Sequence, residues 1–137
     1  MVIDLNSDSI NRAKDLGHRG IVGDASQSEL LEHTRIEDLD LVVVTLPDPN
    51  AVELVVQTIR GLRADLPLVV RARYHIHRGR FMKYSDVHVI DEEEEVGIRL
   101  GEAAAHCLGA PPMPLDPDSI ESPPEEETNN DRESSPA

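Results

Sequence analysis

The stretch LDLVVVTL, residues 39–46, decides how this chain folds. Its apolar residues follow one another without the polar alternation of a strand that keeps one wet face, and β-branched side chains fill its centre. A run of that kind is buried on both faces, which places it inside a parallel sheet covered by helices. Two further apolar runs have the same character, VIDL at 2–5 and LPLVVRARY at 66–74, and RGIVGD at 19–24 and DVHVID at 86–91 are weaker versions.

Segments with helical spacing separate these runs. SDSINRAKDLG (7–17) sets Ile10, Ala13 and Leu16 or Gly17 along one face, with Ser7 or Asp8 as the expected N-cap and Gly17 as the stop. SQSELLEHT (26–34) reads as a short helix opened by Ser26, with Glu29 completing a capping box. PNAVELVVQTIRGLRAD (49–65) carries a stripe of Val52, Val55 or Val56, Ile59 and Leu62, with Pro49 near its start. HRGRFMKYS (77–85) is a weaker helix. A last helix, about 92–108, opens on acids that suit the positive end of its dipole. Val96, Leu100, Ala103 or Ala104 and Cys107 form its apolar stripe. Strand and helix thus alternate to the end, which predicts an α/β open sheet wound by right-handed crossovers.

Composition bounds what such a domain does. The 137 residues suffice for one core, and with 2% aromatic residues that core rests on Val, Ile, Leu and Ala. The formal net charge is −14, of which residues 109–137, with eight acids against Arg132 alone, hold −7. An acidic surface repels phosphate backbones and argues against nucleic-acid binding. The lone Cys107 leaves no internal disulfide or cysteine zinc site. No window reaches the roughly 18–20 apolar residues that span a bilayer, so direct membrane insertion is not expected. Residues 109–137 hold seven of the ten prolines and few apolar residues, and are expected to be a disordered acidic tail behind a domain at 1–108.

In an open parallel sheet ligands sit beyond the C-terminal ends of the strands. Those ends are Asp4-Leu5-Asn6, Gly23-Asp24-Ala25, Thr45-Leu46-Pro47-Asp48 and Arg71-Ala72-Arg73-Tyr74. Asp4 has two acceptor oxygens for the two hydroxyls of a ribose, or it caps the helix that follows. Asp24 stands where a carboxylate meets an adenine amino group, and helix capping is again the rival. Arg71 and Arg73, two residues apart and so on one strand face, attract phosphate or carboxylate, or else pair with this protein's own acids. His75 and His77 lack a third metal ligand, and no nucleophile–base pair stands out, so neither a metal site nor catalysis is expected.

Read in series, VIDLN, NRAKDLG, GDASQSELLEHTRIEDLD, TLPDPNAVELV and VVRARY resemble the RCK N-terminal domain, also called TrkA-N or KTN, of potassium channels and transporters. RARY and the helix DEEEEVGIRLGEAA are most similar to those of Kef-type cation:proton antiporters. The resemblance implies a Rossmann-like, doubly wound parallel sheet. Its function would be a cytoplasmic, non-enzymatic regulatory module that senses NAD(H) or another adenine nucleotide (AMP or ATP). Such a module works as a homodimer or larger ring on a membrane channel or antiporter subunit.

Carried across by residue, Asp4, Leu5 and Asn6 would meet the ribose, and Gly23, Asp24 and Ala25 the adenine. Thr45, Leu46 and Pro47 would border the phosphate or nicotinamide end, and Arg71 and Arg73 would take an anion where some relatives bind calcium. The family opens with a strand, a G-x-G-x-x-G loop and a helix, none of which precedes VIDL here. MVIDL is then a second strand and the domain is truncated at its N-terminus. In the strand order 3-2-1-4-5-6 a gap is expected between VIDL and LDLVVVTL, and dinucleotide binding by this chain is expected to be weak. Two other readings stand beside this one: a fragment of an NAD(P)-dependent oxidoreductase, and a protein-interaction module without ligand.

Overall fold

Residues 1–111 are described by the structure, a computed structural model. The expected tail therefore lies, from residue 112 onward, outside the described residues. Ten elements alternate along the chain: β1 (Val2–Asp4), α1 (Ser7–Asp15), β2 (Gly20–Val22), α2 (Ser28–Glu32), β3 (Val42–Val44), α3 (Pro49–Leu62), β4 (Leu68–Ala72), α4 (Arg78–Met82), β5 (Val87–Asp91) and α5 (Glu92–Cys107). Short 3-10 turns at Ile36–Asp38 and His75–His77 interrupt the connections. Every strand pairing is parallel.

The strands divide into two sheets, β1–β2 and β3–β4–β5, and no ladder joins β1 to β3. This is where the sequence places its gap. Ile3 and Ala25 nevertheless pack against the core cluster that the larger sheet shares with α3, so one hydrophobic interior serves both sheets. Met1–Leu100 form one compact unit, and residues 101–111 complete α5 and turn at Gly109 with φ +65°.

The core is built on α3. Its Val52, Val55, Val56 and Ile59 are buried against Leu68, Val70 and Ala72, the alternate residues of β4, with Val44, Leu66 and Phe81 closing the sides. Each Val, Leu, Ile or Phe among them contributes about 1.5–3 kcal/mol on leaving water. The helix begins as its sequence requires, with Pro49 in the first turn and the Asp48 carboxylate accepting from the Asn50 amide at 3.0 Å.

Four expectations are corrected. The run 39–46 is not buried on both faces: only Val42–Val44 form the strand, and the side chain of Val43 is 58% exposed where that of Val44 is buried. Asn6, not Ser7 or Asp8, caps α1 by accepting from the Asp8 amide at 2.9 Å. Ser26 forms no capping box; its hydroxyl donates to Asp24 at 2.7 Å, and α2 starts later without a side-chain cap. The stripe on α5 stays exposed at Val96, Leu100 and Cys107, and no α5 residue is buried.

Gly17 does end α1. At φ +84° it lets the amides of Gly17 and His18 return to the carbonyls of Lys14 and Ala13 at 2.9 Å each, closing the helix on itself.

Candidate functional site

The strand ends share one local device. Asp4 accepts from the Asn6 amide at 2.8 Å, Asp24 from the Ser26 amide at 2.9 Å, and Asp48 from Asn50. Asp91, buried at the end of β5, accepts from the amides of Glu93 and Glu94 at 3.1 and 3.2 Å. Two strands, β1 and β5, therefore end in an aspartate, and two more, β2 and β3, are followed by one within four residues; in each the Oδ1 folds the backbone into the next turn. Helix- and turn-capping, the plain reading of Asp4 and Asp24, is satisfied by that oxygen in both. Oδ2 of Asp4 and Oδ2 of Asp24 carry no hydrogen bond among the described residues, whereas that of Asp91 meets His75.

Asp4 and Asp24 lie on the same edge. Asp4 is in register with Val22, and the Gly23 amide donates to the Asp4 carbonyl at 3.0 Å, so the two loops leave their parallel strands side by side. The hydroxyl and amide of Ser26 hold the Asp24 carboxyl below its ordinary range, keeping it an acceptor. Gly23 has a packing reason of its own, since a Cβ there would stand 2.8 Å from the Leu30 methyl. Ala25 is part of the interior, packed against the core cluster. Leu5 and Asn6 are exposed beyond β1.

Thr45, Leu46 and Pro47 follow β3, and Leu46 and Pro47 line a shallow cleft with Arg71, Arg73, His77 and Phe81. The two arginines share this cleft but not a role. Arg71 sits within β4, donates to the Thr45 carbonyl at 2.6 Å and pairs with Glu92 at 3.2 Å, so it is taken up by its own protein. Arg73 falls one residue beyond the strand, where its guanidinium stands 5.4 Å from the Tyr74 ring centre. It makes no ion pair among the described residues. Among those residues no group of three His, Cys, Asp or Glu side chains gathers as a metal site.

Sequence reading missed two polar clusters. Glu53 on α3 accepts from Arg80, from Lys83 at 2.6 Å and from Tyr84 at 3.2 Å, and these partners lower its pKa from 4.5 to about 2, Lys83 contributing most. His75 is joined through Nδ1 to buried Asp91, and its amide donates to Glu93 at 2.6 Å. The polar flank of α3 with Arg80 and Lys83 three residues apart hinted at the first; nothing local hinted at the second.

A doubly wound α/β domain with carboxylates gathered at the C-terminal ends of parallel strands is the Rossmann-like class. The chain belongs to the TrkA-N domain family, whose profile matches residues 1–92. Comparison with curated protein sequences gives no match. Three solved structures share the fold. The TrkA-N domain of the inner membrane protein YbaL from Escherichia coli is 19% identical, with a TM-score of 0.65 and 72% of this chain and 74% of that one covered. A Kef C-terminal domain from Shewanella denitrificans, in its AMP-bound form, is 19% identical with a TM-score of 0.63 over 79% and 80% of the two chains. The NAD(P)-binding domain of an exopolyphosphatase-related protein from Archaeoglobus fulgidus is 15% identical, with a TM-score of 0.63 over 77% and 79%. No described helix is long and apolar enough to cross a membrane.

Proposed function

We propose that this chain is a regulatory, non-catalytic module of a cation transport system that binds an adenine nucleotide at the Asp4–Asp24 edge. The observation that carries this reading is the adjacent pair of strand-end carboxylates, each with one oxygen fixed by its own turn and the other left as an acceptor. Two hydroxyls and an amino group are donors, which fits adenosine to acceptors already oriented. Leu5, Asn6, Gly23 and Ala25 border the same edge, and Arg73, with no acid partner among the described residues, suits the phosphate. Leu46, Pro47 and Arg71 line one cleft with Arg73, and Thr45 is tied to it through the hydrogen bond its carbonyl accepts from Arg71. The AMP bound by the Kef domain, and the inner membrane protein to which the YbaL domain belongs, support a nucleotide and a membrane partner here. The module acts from the cytoplasmic side as a homodimer or larger ring. Nucleotide occupancy would bias a gate only through different affinity for its two states.

Calorimetry with AMP, ATP, NADH and adenosine tests the reading. AMP is expected to bind in the millimolar range, and Asp24→Asn and Asp4→Asn each to weaken it by about tenfold, the loss of one charge-assisted hydrogen bond. Arg73→Ala should weaken AMP and leave adenosine unchanged. No heat from any of the four at millimolar ligand overturns it.

A further inference from the structure

Acids outnumber lysines and arginines 27 to 13 in this chain, so a cation without a partner stands out. Among the described residues six of these cations pair with acids, Arg60 donates to backbone carbonyls, Arg73 stands over the Tyr74 ring, and Arg99 is engaged as well. The three that remain there, Arg12, Lys14 and Arg19, are exposed and make no ion pair or side-chain hydrogen bond. All three gather where α1 ends and turns into β2. Gly17 reverses the chain at that point, and Ile10 lies against Gly20, so Lys14, one helical turn past Ile10, stands at the same end of β2 as Arg19. Arg12 and Leu16, four residues apart, share the outer face of the helix end, where Leu16 is 76% exposed. Asp15 is the one acid between positions 12 and 19, so three cations less one anion leave +2 on this turn of a chain that carries −14. The helix dipole explains part of the pattern, because Arg12 and Lys14 lie in the last turn of α1. It explains neither Arg19, which lies beyond the helix, nor the exposure of Leu16.

We propose that the α1–β2 turn docks on an anionic lipid surface, with Leu16 entering the headgroup layer and Arg12, Lys14 and Arg19 meeting the lipid anions around it. One exposed leucine is ordinary by itself. An aliphatic tip set among long cationic side chains is different: their stems lie along apolar material while their charged heads stay with the anions. An acidic protein segment would satisfy the cations and leave Leu16 without a use. The acids elsewhere on the chain do not prevent the approach, since exposed charges more than about 8 Å apart are largely screened at physiological salt. The turn stands at the N-terminal end of β2, opposite the Asp4–Asp24 edge at the C-terminal ends of the same two strands, so docking leaves that edge facing away from the lipid. The proposal uses none of the strand-end residues and is independent of nucleotide binding.

The test is co-sedimentation of the full chain with phosphatidylcholine vesicles containing about 30% phosphatidylserine, beside vesicles of phosphatidylcholine alone, at low salt. The chain is expected to pellet with the first and not the second, and to be released as the salt is raised. Each cation at such a surface is worth roughly fivefold in affinity, so Arg12→Gln, Lys14→Gln and Arg19→Gln together should weaken binding by about a hundredfold. Leu16→Ser keeps the charge and should weaken it by about fivefold. Arg35→Gln removes an exposed cation that is already paired with Asp38, and should leave binding unchanged. No pelleting with either vesicle, equal pelleting with both, or wild-type binding by the triple variant or by Leu16→Ser each overturn the proposal. So does a loss with Arg35→Gln as large as that of the triple variant. Polyglutamate binding to the wild type in place of vesicles would overturn it too, and assign the turn to an acidic protein.

Discussion

The two sheets are built from the same strand–helix grammar and end up physically unlike. Around β3–β4–β5 a 14-residue helix buries four side chains, β4 is fully buried on alternate residues, and the strand ends are tied by Arg71 to Glu92 and His75 to Asp91. Around β1–β2 the strands are three residues each and only half-buried, α1 buries just Ile10 and Ala13, and the aspartates at the strand ends have no basic partner among the described residues. One half spends its polar side chains on holding itself together. The other leaves acceptors for something else, as a binding edge requires.

Substitutions can break that contrast. The largest effect is expected where the interior is densest. Ile59→Ala should cost about 2–5 kcal/mol by leaving a cavity beneath α3, seen as a lower denaturant midpoint for the whole chain. A smaller loss would mean that the core relaxes and that the two halves are less different than their burial suggests.

Gly20→Ala probes the thin half. A Cβ there would stand 2.8 Å from Cγ2 of Ile10, a buried, β-branched side chain with little freedom to move. Overpacking is expected to cost about 1–3 kcal/mol. Hydrogen exchange should register it first at β1 and β2, with β4 amides unchanged; equal acceleration everywhere would show a single cooperative unit.

The gentlest probe is acid. Glu53 holds a folded pKa of about 2 against an ordinary 4.5, because Lys83 and Arg80 favour its charged form. A depressed carboxylate contributes stability that is complete above pH 4.5 and fades as the pH falls toward 2. Lowering the pH through that window should therefore destabilise the wild type more steeply than Glu53→Gln, in thermal melts read pH by pH. Parallel curves would mean that the cluster on α3 and α4 contributes nothing through its charge.

Element type, element order and the parallel sense of the strands are all legible in residues 2–5, 39–46 and 66–74, since a β-branched apolar run has few other places to go. The gap between the sheets was legible too, from what the resemblance lacked. Caps were read less well: Asn6 caps α1 in place of the expected Ser7 or Asp8, and Ser26 donates to Asp24 instead of opening α2, because neighbouring polar side chains compete for the same partners and their geometry settles which wins.

By itself, then, the sequence determined the alternation, the core stripe of α3 from Val52 to Ile59 (though not its expected end at Leu62, which is exposed), the stop at Gly17 and the identity of the strand-end residues. All of these follow from local periodicity and backbone preference. Only the tertiary structure decided that Arg71 is consumed by Thr45 and Glu92 while Arg73 is not, that Glu53 gathers Arg80 and Lys83 across 27 and 30 residues, and that Ile3 and Val43 face one cleft. The reason is that pairing across space depends on which elements come to lie side by side, and no spacing along the chain encodes that directly.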